Sequence, residues 1–268
     1  MSRRLVETAR FLRDAPPEGF RLPSGRAYLG DEFCERRLPS DGMLAWLEQA
    51  GRNIGAATLM TPFLTDWGMA RLQEVLARMS RALPDGFEIV VNDLGTLELL
   101  RQSSYPGLEP VCGRLLSSRY GLEPAVGESG RLLSSRYMYF NDFPEEFLLW
   151  LSEHGMRRIE LNSITQLRRT HQQLRSRGLK THFHWPYMFL TATRLCAADQ
   201  GFRGNARDSI LGCGQGCERS LATSACPDGT EIIIYGNAYL VRHEGLAAPP
   251  DEADRIVEDE MGMERNAV

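Results

Sequence analysis

Lysine is almost missing from this 268-residue chain: Lys180 is the only one, and the rest of the 31 basic residues are arginine. A Walker A phosphate loop, which needs Gly-Lys-Ser/Thr, is thereby excluded, and a Schiff-base enzyme is left a single candidate. No apolar run approaches the roughly 18 residues of a membrane span. The first fourteen residues carry charges throughout and lack the apolar core of a signal peptide, so a soluble, cytoplasmic protein is expected. There is no excess of positive charge either. The 31 basic residues face 35 acidic ones, a net charge of -4 that gives no bulk attraction to nucleic acid or acidic membranes, although arginines can still form a local patch.

What is present is ordinary globular composition, 43% apolar and 25% charged, enough for a sizeable core. The length fits one α/β barrel better than two domains. From residue 27 onward short apolar runs alternate with amphipathic stretches, as when parallel strands feed crossover helices. Ala27-Tyr28-Leu29-Gly30 reads as the first strand, followed by strands at 54–59, 87–91, 110–113, 158–161 and 181–184. Residues 67–83 place Met69, Leu72, Val75, Leu76 and Met79 at helical spacing. Residues 231–241 read as a strand pair turning at Gly236-Asn237. Residues 1–248 are assigned to the barrel, and 249–268, rich in Asp and Glu, to a solvated helix or frayed tail. The octapeptide Gly-Arg-Leu-Leu-Ser-Ser-Arg-Tyr occurs identically at 113–120 and 130–137, a local duplication expected to lengthen a loop without catalytic consequence.

Six cysteines in a reducing compartment point away from disulfides and toward metal binding or burial. Cys196, Cys213, Cys217 and Cys226 fall within a short stretch containing Gly201, Gly204, Gly212, Gly214 and Gly216, which lets backbone wrap a metal centre. Such spacing suits zinc or an iron–sulfur cluster. A radical S-adenosylmethionine motif fails because Ser220 occupies the place of its third cysteine, and a dinucleotide loop fails because Cys217 stands where the last glycine belongs. Cys112, inside an apolar strand, reads as a packed thiol.

Among other candidates, Asn92 and Asp93 close a strand at the end where barrels build sites, though Asp93 is equally placed to cap a helix. Arg194, two residues before Cys196, is placed either to pair with thiolates or an anionic oxygen donor, or to form a surface ion pair. His182 and His184 share one strand face, as do Glu160 and Asn162.

Tyr28-Leu29-Gly30-Asp31-Glu32-Phe33-Cys34-Glu35-Arg36-Arg37 resembles the strand-end motif Y-L-G-E-x-x-C-x-x-R of the UbiV-like branch of the collagenase-like (U-type) peptidase family. Asn92-Asp93-Leu94-Gly95, Val111 to Leu116, and Tyr187 to Cys196 with its Thr193-Arg194-Leu195-Cys196 ending are similar to later pieces in the same order. The resemblance implies a TIM-like barrel, abbreviated or open, with the cysteine-rich segment closing its mouth. It also implies a 4Fe-4S cluster on Cys34, Cys196, Cys213 and Cys217, with Cys226 the rival for the fourth place; Asn92, Asp93 and Arg194 are the expected catalytic residues. By resemblance, the chain supports oxygen-independent hydroxylation of a ubiquinone precursor or similar small aromatic substrate, beside a related iron–sulfur partner in a heterodimer. Hydroxylation of RNA bases, which net charge disfavours, and a non-catalytic metal-stabilised subunit are the alternatives. Peptidase chemistry is not expected: there is no G-x-S-x-G elbow, and a metal-bound cysteine is no nucleophile.

Overall fold

The computed structural model describes residues 7–12, 25–50, 56–82, 86–102, 105, 107–118, 122–123, 139–140, 142–193, 196, 213, 222–225, 229–243 and 246–259. In chain order the elements begin β1 (Glu7–Leu12), β2 (Arg26–Gly30), α1 (Asp41–Ala50), β3 (Ala56–Met60), α2 (Asp66–Ala82), β4 (Phe87–Val91), α3 (Leu94–Gln102) and β5 (Leu108–Cys112). Then come α4 (Arg114–Ser117), the short pair β6 (Leu122–Glu123) and β7 (Tyr139–Phe140), α5 (Glu145–Glu153), β8 (Arg158–Leu161), α6 (Ile164–Ser176) and β9 (Lys180–Trp185). Last are β10 (Tyr187–Ala192), β11 (Ala222–Ala225), β12 (Glu231–Tyr235), β13 (Ala238–Arg242) and β14 (Arg255–Glu258).

Eight parallel strands close into a barrel in the order β1-β2-β3-β4-β5-β8-β9-β14, a TIM-like α/β architecture. Alternation along each strand divides its side chains between two cores. Leu29, Leu59 and Ile89 face outward with Leu72, Val75, Leu76 and Met79 of α2, while Ile159, Leu161 and Phe183 face outward with Phe147, Leu151, Leu167 and Leu174. Tyr28, Met60, Val90, Val111, Val257 and Ala9 turn inward and fill the barrel. Four helices start on a side-chain cap. The Ser40 hydroxyl accepts from the Met43 amide ahead of α1, Thr65 from Gly68 ahead of α2, Asp93 from Thr96 ahead of α3 and Ser163 from Gln166 ahead of α6.

Between β9 and β14 the chain leaves the barrel to build an antiparallel sheet in the order β10-β13-β12-β11. It lies against the C-terminal ends of the barrel strands: Tyr187, Ile233, Tyr235 and Leu240 pack with Phe33 and Phe189, and the Asn162 amide exchanges hydrogen bonds with the Phe189 backbone at 2.7 and 2.8 Å. The β12–β13 hairpin turns at Gly236-Asn237, as the sequence pattern indicates.

Three expectations are corrected. The barrel is closed, neither abbreviated nor open. Its first strand is β1, ahead of the strand at 26–30, because Ala9 and Phe11 face inward while Glu7 pairs with Arg26 and Arg255. The acidic segment after residue 248 is no solvated tail at 255–258: β14 pairs with both β1 and β9 and completes the barrel. Of the duplication, the first copy includes α4 and is packed into the core. Gly113 lies so close to Asn92 that a Cβ there would meet its Oδ1 at 2.1 Å, and Arg114, Leu115 and Leu116 are buried. The second copy, 130–137, lies outside the described residues. No helix among the described residues is long and apolar enough to cross a membrane.

Candidate functional site

Gly30 ends β2 with φ +87°, where a Cβ would press on the Met60 carbonyl at 3.0 Å. The chain then enters a loop shaped by Asp31. One carboxylate oxygen accepts from the amides of Phe33 (2.8 Å) and Cys34 (3.2 Å), and the other faces Arg37 at 3.3 Å. Cys34 thereby sits just beyond the carboxyl end of a barrel strand, at the head of a 3-10 turn over Glu35–Arg37. Asn237, from the β12–β13 turn, donates to the carbonyls of Phe33 (2.7 Å) and Thr193 (2.8 Å), and accepts at its own carbonyl from the Thr193 amide. This one side chain ties the Cys34 loop to the approach to Cys196. Cys34, Cys196 and Cys213 line a single cavity with the Asp31–Arg37 pair and residues 235–237.

The other predicted positions fare differently. Cys217, Cys226 and Arg194 lie outside the described residues. Asn92 and Asp93 both bond to backbone: the Asn92 amide donates to the Thr61 carbonyl and accepts from the Leu115 amide, while Asp93 caps α3 and accepts from the Leu64 amide. Neither lines the thiol cavity, so their observed work is to hold strand ends and loops. Cys112 is fully buried in the outer core, and burial, with the Glu160 charge, pushes its thiol up, as befits a packed group.

Beneath the sheet the barrel interior also holds a set of buried charged and polar groups, of which Glu160, His182 and His184 were sequence candidates and Glu88 and Arg255 were not. Glu32 and Arg114, both buried, form a bidentate ion pair, with Arg114 also donating to the Tyr187 carbonyl at 3.2 Å and lying over the Phe33 ring. His184 Nε2 and Glu160 Oε2 are 3.0 Å apart, so the shared strand faces predicted for His182/His184 and Glu160/Asn162 do point into one interior. Burial, only partly offset by Arg114, raises Glu160 to about 7, and burial lowers His184 to about 3. Among the described residues Glu160 Oε1 and His184 Nδ1 have no partner, an omission costing about 1–3 kcal/mol per buried group. One layer down, Arg255 donates to both oxygens of Glu88 at 2.6 and 3.0 Å, and to Tyr28 and His182. Burial alone would raise Glu88, but the hydrogen bonds and charge of Arg255, with Arg26, overcome it and hold the carboxyl below its usual range. Glu88 was detectable in principle, as a charged residue alternating with Phe87 and Ile89 in a strand; Glu32 and Arg114, 82 positions apart, were not.

His243 gives a pH prediction. Its Nε2 donates to the His184 carbonyl, its ring stacks on Phe183 and Trp185, and burial lowers it to about 4. The unfolded chain takes up a proton near pH 6.5 that the folded chain refuses until about pH 4. Its contribution is therefore full above pH 6.5 and drains away as pH falls toward 4, by on the order of 3 kcal/mol. Urea unfolding of His243→Gln across that range should show a shallower acid loss than the parent; parallel profiles would show that the imidazole is not kept neutral.

Fold and site together define a TIM-like α/β barrel with a three-thiol cavity at its carboxyl face and a buried carboxylate, histidine and arginine interior. The chain matches no family model, no curated protein and no solved structure.

Proposed function

We propose that the chain is an iron–sulfur protein supporting oxygen-independent hydroxylation of a ubiquinone precursor or similar small aromatic substrate, working beside a related cluster-bearing partner. The observation that carries the reading is the convergence of Cys34, Cys196 and Cys213, from segments far apart in sequence, on one cavity at the barrel's carboxyl face. The donor set fits a 4Fe-4S cluster: thiolates are its usual ligands, and Cys217 stands four residues after Cys213 to complete the four.

When bound, the cluster supplies electron transfer at the barrel mouth. The chain's own residues do the rest. Asp31 fixes the Cys34 loop through two amides, Asn237 locks the Cys196 approach to it, and Arg37 adds positive charge beside the thiols. The antiparallel sheet packs over the mouth through Tyr187, Ile233, Tyr235 and Leu240, held there by the Asn162 hydrogen bonds to Phe189.

The test begins with iron. Protein purified without oxygen should be brown, and Cys34→Ala, Cys196→Ala and Cys213→Ala should each lose most of their iron, whereas Cys112→Ala keeps it. A colourless parent, or full iron in all three variants, defeats the reading. Cells lacking the chain, grown without oxygen, should then accumulate under-hydroxylated quinone precursors; an unchanged quinone pool removes the proposed substrate.

A further inference from the structure

We propose that Glu32, Glu160 and His184 form a metal site, separate from the thiol cavity, that takes one divalent first-row transition cation through carboxylate oxygen and imidazole nitrogen. One ligand atom from each lies within 4.8 Å of the others, and all three residues are buried. They arise from the loop after β2, from β8 and from β9, so the closed barrel itself fixes their spacing. Glu160 Oε2 and His184 Nε2 are 3.0 Å apart. Two adjacent donors around an octahedral ion with bonds of about 2.1 Å span about the same distance.

A second, independent observation points to a ligand. Glu160 Oε1, on the carboxylate that forms one arm of the set, is buried without a partner among the described residues, a condition that folded interiors rarely leave unanswered. Arg114 does not block the site. It donates twice to Glu32 Oε1 and once to Oε2, leaving Oε2 a further lone pair, and so orients the carboxylate as outer partners of ligating groups do. Two carboxylates and an imidazole, with no sulfur, suit manganese, iron or zinc.

The site stands apart from the iron–sulfur reading, and its test uses a hard ion that thiolates do not select. The full chain, purified without oxygen, is titrated with Mn2+ while the free ion is followed by electron paramagnetic resonance. One Mn2+ per chain should be retained, and its spin-echo modulation should show coupling to an imidazole nitrogen. Glu160→Gln and His184→Gln should each weaken retention about tenfold or more, while Cys196→Ala leaves it unchanged. Failure of the parent to retain Mn2+, absence of nitrogen coupling, or loss of retention in Cys196→Ala would overturn the site. The nitrogen coupling is read on the unaltered chain, so the test survives a variant that does not fold.

Discussion

A chain ending at Pro250 is expected to yield no folded, soluble protein, because the truncation removes β14. That strand is paired in parallel with β1 on one side, Glu7 opposite Arg255, and with β9 on the other, His182 opposite Arg255. Without it the barrel has two open edges carrying unpaired backbone groups, which invite aggregation. The truncation also removes Arg255 from the Glu88 carboxylate, which is wholly buried, leaving it to Arg158 at 3.0 Å and the more distant Arg26. Breaking a buried pair costs about 3–5 kcal/mol before any loss of strand pairing. Against a total stability of about 5–15 kcal/mol, the combined loss leaves little or nothing. Arg255→Met separates the two effects, since it keeps the strand and the apolar stem but removes the charge. It should stay folded, with a urea midpoint clearly below the parent's. A truncated chain that unfolds cooperatively would show that closure does not need β14.

The same strand shows how far the sequence could be read. β8 and the β12–β13 hairpin were legible from local pattern alone, because Ile159 and Leu161 alternate with Glu160, and Gly236-Asn237 is a strong turn signal. β14 was not. Arg-Ile-Val-Glu offers two apolar residues inside an acidic stretch, and it is a strand only because β1 and β9 supply hydrogen bonds from both sides. β1 escaped for the same reason, its inward Glu7 paired with arginines that are distant in sequence. The thiols of Cys34, Cys196 and Cys213 were proposed together through a motif resemblance, which no periodicity carries. The carboxylate and histidine interior was half visible: period two placed Glu160 with Asn162 and His182 with His184, but nothing local linked Glu32 to Arg114 or Glu88 to Arg255.

Arg114→Ala is expected to cost about 3–5 kcal/mol, since it strands Glu32 without its counter-charge in an interior it shares with Glu160. Burial already raises the Glu32 carboxyl, and without the guanidinium it should take up a proton rather than remain charged. The duplication supplies a sharp control. Residues 113–120 recur at 130–137, so removing 113–129 gives the same chain as removing 121–137. Read in the second way, the deletion leaves β5, α4 and the Arg114–Glu32 pair in place, and of the described residues it takes only β6 and its pairing with β7. On the sequence expectation that the duplication only lengthens a loop, its removal changes closure entropy by only about 0.6 kcal/mol per twofold change in length. The seventeen-residue deletion should therefore unfold in urea near the parent's midpoint, whereas the single substitution at Arg114 falls well below it. An unfolded deletion product would mean that the second copy carries barrel structure of its own, and a fully stable Arg114→Ala would mean that the buried pair contributes nothing to the fold.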